Sequence, residues 1–361
     1  MNQIWKRYFL IELTKVFILF ICSFYFLYVL IDYSVHTKAF QSTQVSFFNI
    51  VLYYIYQFTK RADILVPITL MIATIKVLTA SNLCNEIVAL VTGGVSLKKV
   101  LSPFLGAAFF CLSLLFLNFQ FLLPIALCKI TAFEERYFKN KVEETENKQV
   151  NALVLEDNTL LIYHSYDQEK KAFFDVFWLK NCDQLWRIQS LFPYEKIPIG
   201  KYVDFLSRTP EGEIVKVASY DEIAFPEIEF CSQALFNAVH PPRMQSISQL
   251  ARHVGWKQAK FGMGKMNDRE AEAATHFYFK LMIPFACLLA VLGPAPYCLR
   301  FSRHLPIFLI YALSLFGLIT FFTFMNALVI LGVGQVIPPL LVILIPQTIF
   351  FLILGWKYAK L

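Results

Sequence analysis

The polar residues that could carry out chemistry are few, and their spacing matches no enzyme signature. A G-x-x-x-x-G-K-S/T loop, whose backbone amides would cradle ATP phosphates, does not occur. The segment Gly262–Lys265 comes nearest to it, but Met266 stands where the loop needs Ser or Thr. The sequence has neither an H-E-x-x-H pair nor a close Cys/His cluster, and its six histidines are scattered. We therefore predict no catalytic residue, no metal site and no cofactor bound by this chain.

The eight cysteines give no metal or redox signature either. Cys22, Cys111 and Cys287 lie in apolar runs, where a thiol behaves as a small apolar group. Cys182 and Cys231 lie in the most polar part of the chain, where a disulfide is chemically allowed. A disulfide between these two and a pair of free thiols remain equally compatible with the sequence, because no spacing argument links them.

The segment Ser81–Val100 carries the most informative pattern. Its apolar residues recur at helical spacing: Leu83, Ile87, Leu90 and Val91. Glu86 falls in the first turn, where a carboxylate suits the helix N-terminus, and Gly93–Gly94 would end the helix. We predict a short amphipathic helix that either lies on the membrane or docks a cytoplasmic partner. Glu86 favours docking, because a helix lying on lipid would more often carry Lys at that position.

The charged residues are concentrated in one part of the chain. The 361 residues include 33 Lys/Arg and 26 Asp/Glu, and 41 of these charges lie within residues 129–275. That segment has a net charge of −3, whereas the remaining 214 residues have a net charge of +10 and only 4 acids. This distribution excludes a one-piece soluble globule, a disordered chain and a nucleic-acid binder. It favours an integral membrane protein with one polar insert.

The apolar frame predicts six membrane-spanning helices, three on each side of the insert. The apolar stretches are Tyr8–Ile31, Ile64–Ala80, Val100–Cys128, Leu281–Leu299 and Leu305–Trp356. The last stretch is too long for one crossing at ~1.5 Å per residue, and its Gly and Pro residues near 332–339 divide it in two. We expect residues 1–128 to hold spans 1–3 with the short helix at 82–94, and residues 276–361 to hold spans 4–6.

The distribution of Lys and Arg predicts that both termini are cytoplasmic. Basic residues flank the spans at four sites that would share the cytoplasmic side, at 6–7, 98–99, 300–303 and 357–360. The insert would then face the other side of the membrane. Lys38, Lys60 and Arg61 depart from this rule, since the orientation places them at the outer ends of spans 1 and 2.

The insert, residues 129–275, has the pattern of a β-domain. Leu160–Tyr163 and Phe173–Leu179 are rich in aromatic and branched residues, and Glu213–Ser219 alternates in polarity. Turn signals separate these runs at Asp157-Asn158 and Pro210–Gly212. The spacing predicts a small sandwich or open barrel. Trp178 and Trp186 fit core packing better than contact with a lipid.

Several motifs, taken in chain order, match one known family. They are Arg7-Tyr8 with Glu12, Pro67 and Ala73 in span 2, Asn85–Leu90 and Gly94–Ser96 in the short helix, Pro103 and Pro124 in span 3, His276, Lys280, Leu281, Pro284 and Leu292–Pro294 in span 4, and Pro338, Pro339 and Pro346 at span 6. Over essentially the whole chain, this set resembles the lipopolysaccharide-export permeases of the LptF/LptG type. Gly93 and Ile343 depart from the family pattern.

The resemblance implies an inner-membrane transporter subunit with a periplasmic jellyroll-like β-domain. Such a permease pairs with a paralogous permease and with two copies of a cytoplasmic ABC ATPase, which would account for the missing ATP-binding loop. It takes lipopolysaccharide from the inner membrane and passes it to a periplasmic jellyroll bridge protein. The short helix, through Glu86, Ile87, Leu90 and Gly94, would couple to the ATPase.

The resemblance also suggests where the lipid would bind. Lys38, Lys60 and Arg61 form a candidate rim for its phosphates, although cations reaching towards ordinary anionic lipids explain them equally well. The family places gate walls at spans 1 and 5, so the candidate lining residues there are Phe26, Asp32, Phe316 and Phe322.

Two other classes of protein compete with this interpretation. A lipid-modifying membrane enzyme would need paired carboxylates or a metal site at one locus, and the four acids of the frame are dispersed. A permease of another lipid or lipoprotein export system typically has four spans with its insert after the first, whereas three spans precede the insert here.

Overall fold

The computed structural model divides the chain into two compact units. They are Met1–Tyr137 with Met244–Leu361, and Phe138–Arg243. The described residues are 4–42, 45–137, 151–155, 159–167, 172–181, 184–194, 197–208, 214–228, 230, 241–254, 268–299 and 306–360. Cys182 and Cys231 lie outside them, so their pairing stays open.

The first unit contains the six spans that the sequence predicts. Spans 1–6 are Ile4–Thr37, Phe47–Leu83, Leu97–Glu134, Glu270–Leu299, Ile307–Val333 and Pro339–Ala359. The shortest has 21 residues, about 31 Å of helix, which suffices for a hydrocarbon core of roughly 30 Å. The span 1 helix itself continues to Ser42, and the span 3 helices continue to Tyr137.

Spans 3 and 4 are interrupted helices. In span 3 a π-helical turn, Asn118–Leu122, joins Leu97–Leu117 to Leu123–Tyr137. In span 4 the helix Asp268–Met282 gives way to a 3₁₀ turn, Ile283–Phe285, and two further helices follow: Ala286–Leu292 and Ala295–Leu299. Pro284 and Pro294 lack the N–H that a continuous helix would use, so the backbone breaks at each of them.

Spans 2 and 4 form the centre of this unit, and span 1 lies at its edge. In the most apolar stretch of each span, 61% of residues are buried for spans 2 and 4, and none for span 1. Span 5 approaches span 4 closely at Gly332, where a Cβ atom would lie only 2.8 Å from Thr275 Cγ2. In the corresponding stretches of spans 5 and 6 only 22% of residues are buried, so the apolar surface of spans 1, 5 and 6 is left for lipid or for another chain.

The second unit contains one six-stranded antiparallel sheet. Its strands are β1 Asn151–Val154, β2 Leu160–Asp167, β3 Ala172–Asn181, β4 Gln184–Phe192, β5 Ile199–Arg208 and β6 Ile214–Ala224. Each strand pairs with the next along the chain. Short connections, such as residues 182–183 between β3 and β4, make consecutive strands antiparallel neighbours. The inserted β-domain between spans 3 and 4 is confirmed, and its described strands have the order of a meander rather than the crossovers of a Greek key.

A line of skipped pairing positions, called the crease here, runs across this sheet. The pairing passes over one residue on each of five strands: His164, Asp175, Gln189, Tyr202 and Asp221. Asp175 and Tyr202 have φ values of 50° and 53°, which turn the chain locally while the pairing register on either side stays the same. Buried residues are consequently three apart across the crease, as in Phe173 and Val176, yet they belong to one core.

The two sides of the sheet differ in polarity. The core side holds Trp178, which is 3% exposed and donates its indole N–H to Thr159 Oγ1 at 3.1 Å. The outer side carries Asp204, which accepts hydrogen bonds from Lys216 and Ser219, and these bonds lower the pKa of its carboxyl group. Trp178 thus packs in the core, as the sequence suggests.

The β-unit is shorter than the predicted insert of residues 129–275. It begins at Phe138 because the span 3 helices continue through the charged residues after Cys128 as far as Tyr137. It ends at Arg243, after which the chain forms the helix Ile247–His253 and then, from Asp268, the helix that begins span 4. Ser246 caps the first of these with a capping box.

Candidate functional site

The short helix predicted at 82–94 is present as Glu86–Thr92, directly after span 2. Asn85 makes the turn into it with a φ of 60°, a conformation that asparagine tolerates better than most residues. Gly94, with a φ of 85°, ends it. The amides of Gly94 and Val95 donate to the carbonyls of Val91 and Leu90, each at 3.0 Å, which is the Schellman arrangement of a helix C-terminus.

The apolar residues of the short helix, together with Leu83 just before it, divide into buried and exposed ones. Ile87 is 3% exposed and belongs to the core of the spans, and Leu90 packs against that core. Leu83, Val88 and Val91 are between 43% and 59% exposed. Ile87 therefore anchors the helix to its own chain, so the surface available to a partner is formed by the other three residues.

Glu86 makes a long-range contact that the sequence does not reveal. The Tyr8 hydroxyl, at the start of span 1, donates a hydrogen bond to Glu86 Oε1 at 3.2 Å. The second carboxylate oxygen, Oε2, is shielded from solvent and has no hydrogen-bond partner within the described part of the chain. Burying a carboxylate oxygen without a donor costs free energy, so this side chain is incompletely satisfied in the isolated chain.

Hydrogen bonds also join the ends of the segment 82–98 to other spans. Asn82 Nδ2 donates to the carbonyl of Cys298 in span 4 at 2.9 Å. Lys98 Nζ donates to the carbonyl of Ala359 at the end of span 6, also at 2.9 Å. The segment that contains the short helix is thus bonded to spans 1, 4 and 6.

The structure describes the candidate phosphate rim only in part. Lys38 lies in the helix of span 1, and its side chain is outside the described part of the structure. Arg61 is exposed, and its guanidinium carbon lies 5.5 Å from the centre of the Tyr28 ring, a cation–π distance. Lys60 is half-buried beside it in the chain. The Tyr28 ring of span 1 thus contacts the guanidinium of Arg61 on span 2, and the Arg61 side chain remains exposed.

Asp32 has protein partners of its own. Its carboxylate accepts a hydrogen bond from the Tyr54 hydroxyl at 3.2 Å and lies 3.6 Å from His36 Nδ1. The side chain is 17% exposed. Asp32 therefore joins spans 1 and 2, and the described contacts place it with Tyr54 and His36 rather than with the cations of the rim.

An aromatic and polar cluster near Asp32 was missed in the sequence. Tyr53 stacks on Phe133 of span 3 at 4.6 Å, and Gln57 donates to the Tyr53 hydroxyl at 2.8 Å. The Tyr53 hydroxyl donates to Glu134 at 3.4 Å. The sequence does carry a signal for this cluster, which is the run of tyrosines with a glutamine at helical spacing before Lys60. The signal is weak because the span as a whole is apolar.

The candidate lining residues separate into two groups. Phe26 of span 1 and Phe316 of span 5 are 64% and 69% exposed, so both are free to meet lipid or another chain. Phe322 is 6% exposed and packs edge-on against Phe321 at 5.6 Å. Phe322 belongs to the core of the spans in the single chain, so among the predicted lining residues it is covered whereas Phe26 and Phe316 are not.

No metal site emerges from the side chains that the structure describes, since no three His, Cys, Asp or Glu residues come together among them. The chain has three spans, an inserted β-sheet and three further spans, and its short helix follows span 2. This is the order of elements that the resemblance of the motifs implies. The family model for the lipopolysaccharide export system permease LptF/LptG matches residues 7–360. The chain belongs to this LptF/LptG permease family. Curated protein sequences give no match to the chain.

Membership confirms the resemblance drawn from the motifs and the fold class with it. This permease is a multi-pass membrane protein and a transporter component rather than an enzyme. The rivals of another fold, a lipid-modifying enzyme and a four-span permease, do not fit a match over nearly the whole chain. The roles of the individual site residues remain predictions.

Proposed function

We propose that this permease extracts lipopolysaccharide from the inner membrane, paired with a paralogous permease and powered by two copies of a cytoplasmic ABC ATPase. Its β-domain would be periplasmic and would pass the lipid to a jellyroll bridge protein. The observation that carries the proposal is the family match over residues 7–360, which includes the short helix and the inserted β-sheet.

The short helix supports docking of an ATPase. Three apolar side chains, Leu83, Val88 and Val91, remain exposed at an end of the bundle that we predict to be cytoplasmic. An apolar surface in water favours association, and the neighbouring Glu86 supplies a charge that fixes the register of a basic partner. ATP would be bound and hydrolysed on that partner, in keeping with a chain that has no phosphate-binding loop.

The exposed surface of spans 1 and 5 supports a path for the lipid. Phe26 and Phe316 stand on the spans that the family uses as gate walls, and both are exposed in the single chain. An acyl chain of the lipid would pack against such side chains through van der Waals contacts, because inside the bilayer the apolar surface is already shielded from water. The Arg61 guanidinium would bind a phosphate of the lipid at the outer surface of the inner membrane.

A photo-crosslinking experiment tests this path. A photoreactive phenylalanine placed at Phe26 or Phe316 is expected to form lipopolysaccharide adducts in membranes that contain the whole transporter. Phe110, on span 3, is the matched control because it is 66% exposed but lies on neither proposed gate wall. Equal yields of lipopolysaccharide adduct at all three positions would contradict a path between spans 1 and 5, since that is the result of general lipid contact.

A further inference from the structure

The contact between Tyr8 and Glu86 joins the short helix to the most exposed of the six spans. We propose that the Tyr8 hydroxyl is a positioning group that links ATPase docking at Glu86 to the position of span 1. This inference rests on the proposed function. It assigns to Tyr8 a role in transmitting ATPase docking to span 1 rather than in binding the ATPase.

The first step concerns how firmly span 1 is held at its beginning. Phe9 is 1% exposed and packs against Trp5 at 6.2 Å and against Phe104 of span 3 at 5.8 Å. Leu13, one turn further on, is 2% exposed. The beginning of span 1 is therefore anchored in the core, whereas none of its most apolar stretch is buried. The far part of span 1 is joined to span 2 by the hydrogen bond from Tyr54 to Asp32, so a shift of the anchored beginning is passed along the helix towards span 2.

The second step concerns the state of the Glu86 carboxylate. Oε1 accepts the Tyr8 hydrogen bond, and Oε2 is shielded without a partner in the described residues. The contact thus holds the carboxylate in an arrangement that leaves one oxygen unsatisfied. A cation on a docked ATPase would satisfy the carboxylate better, and it would draw Glu86 away from Tyr8.

The third step follows from linkage. If docking of the ATPase breaks the Tyr8–Glu86 contact, it also shifts the preferred position of span 1. A change in the position of span 1 then changes the affinity for the ATPase by the same factor. The other two bonds of the segment, from Asn82 and Lys98, go to backbone carbonyls and do not involve Glu86. Of these three bonds, the one to Tyr8 is the bond that responds directly to what binds the carboxylate.

The variant Tyr8→Phe tests the proposal by removing only the hydroxyl. Its ring can keep the contact with Phe9, whose ring centre lies 5.7 Å away. We expect co-purification of the ATPase at or above the wild-type level, because the competing hydrogen bond is gone, but a fall of about fivefold in lipopolysaccharide released per ATP hydrolysed, the lower end of usual coupling effects. Tyr297→Phe is the matched control, because Tyr297 also loses an interhelical bond, from Lys357 at 2.6 Å, without touching the short helix.

Each result of this experiment has one meaning. Reduced release per ATP in Tyr8→Phe, with Tyr297→Phe at the wild-type ratio, supports transmission through Tyr8. An unchanged ratio in Tyr8→Phe overturns it, and so does a loss of ATPase binding, which would make Tyr8 part of the docking surface. Retention of the ATPase by Glu86→Ala, measured in parallel, would instead contradict the proposed docking at Glu86.

Discussion

Replacing Glu86 with alanine is expected to weaken retention of the ATPase by about 30-fold while the chain still inserts in the membrane. Truncating one partner of a desolvated charge pair usually costs 2 kcal/mol or more, and about 2 kcal/mol corresponds to that factor. Glu86 is half-buried beside the exposed Val88 and Val91, whereas Ile87 anchors the helix to the core. The measurement is quantitative co-purification of the ATPase with the tagged permease from solubilised membranes.

Glu12→Ala is the control for this prediction. Glu12 is another of the few acids of the frame, lies on span 1 near Tyr8, and pairs with Lys15 at 2.8 Å in an exposed i,i+3 contact. Such surface pairs contribute about 0–1 kcal/mol, so its loss should leave ATPase retention nearly unchanged. If Glu86→Ala retained as much ATPase as Glu12→Ala does, Glu86 would have no part in docking.

The second large effect is expected from reversing two charges of the candidate rim. Lys38→Glu combined with Arg61→Glu should reduce ATP-driven release of lipopolysaccharide by at least about tenfold. Two charge-assisted contacts to phosphate, each worth about 1.5–3 kcal/mol, would be replaced by repulsion. Both residues depart from the positive-inside pattern, so acidic replacements do not oppose the predicted orientation of the chain.

The charge-retaining exchange Lys38→Arg with Arg61→Lys separates charge from shape. It should keep most of the release activity, since both phosphate-binding cations remain, although lysine forms no bidentate contact. The assay for both variants is transfer of lipopolysaccharide from proteoliposomes to an acceptor. Normal release by the double Glu variant would show that these cations serve only to anchor ordinary lipids.

Features fixed by local chemistry could be predicted from the sequence. The end of the short helix was one, because Gly94 supplies the positive φ that a helix stop of this kind requires. The existence of six spans was another, since length and hydropathy decide it. The membership of a known family was predicted as well, from motifs distributed along the whole chain.

Features decided by packing could not be predicted. Periodicity placed Ile87 on an apolar stripe, but it cannot say whether the chain itself or a partner covers each position of that stripe. It also could not show that Phe322 packs in the core while Phe316 stays exposed. Tyr8 and Glu86 are 78 residues apart, and only the fold brings their oxygens within hydrogen-bond distance.

The crease of the β-sheet was unpredictable for a different reason. A bend with positive φ is usually signalled by glycine, and here Asp175 and Tyr202 adopt that conformation. The pattern along a single strand also does not show that the pairing skips one position on five strands at the same level. The predicted β-domain was therefore confirmed as an inserted antiparallel sheet, while its strand order came only from the structure.

The most direct test is ATP-driven release of lipopolysaccharide from proteoliposomes that contain this permease, its paralogous partner and the ATPase. The account predicts release that requires ATP hydrolysis and that is lost when the Glu86→Ala permease replaces the wild type. Export of a different lipid by the same assembly, with lipopolysaccharide left in the vesicles, would contradict it.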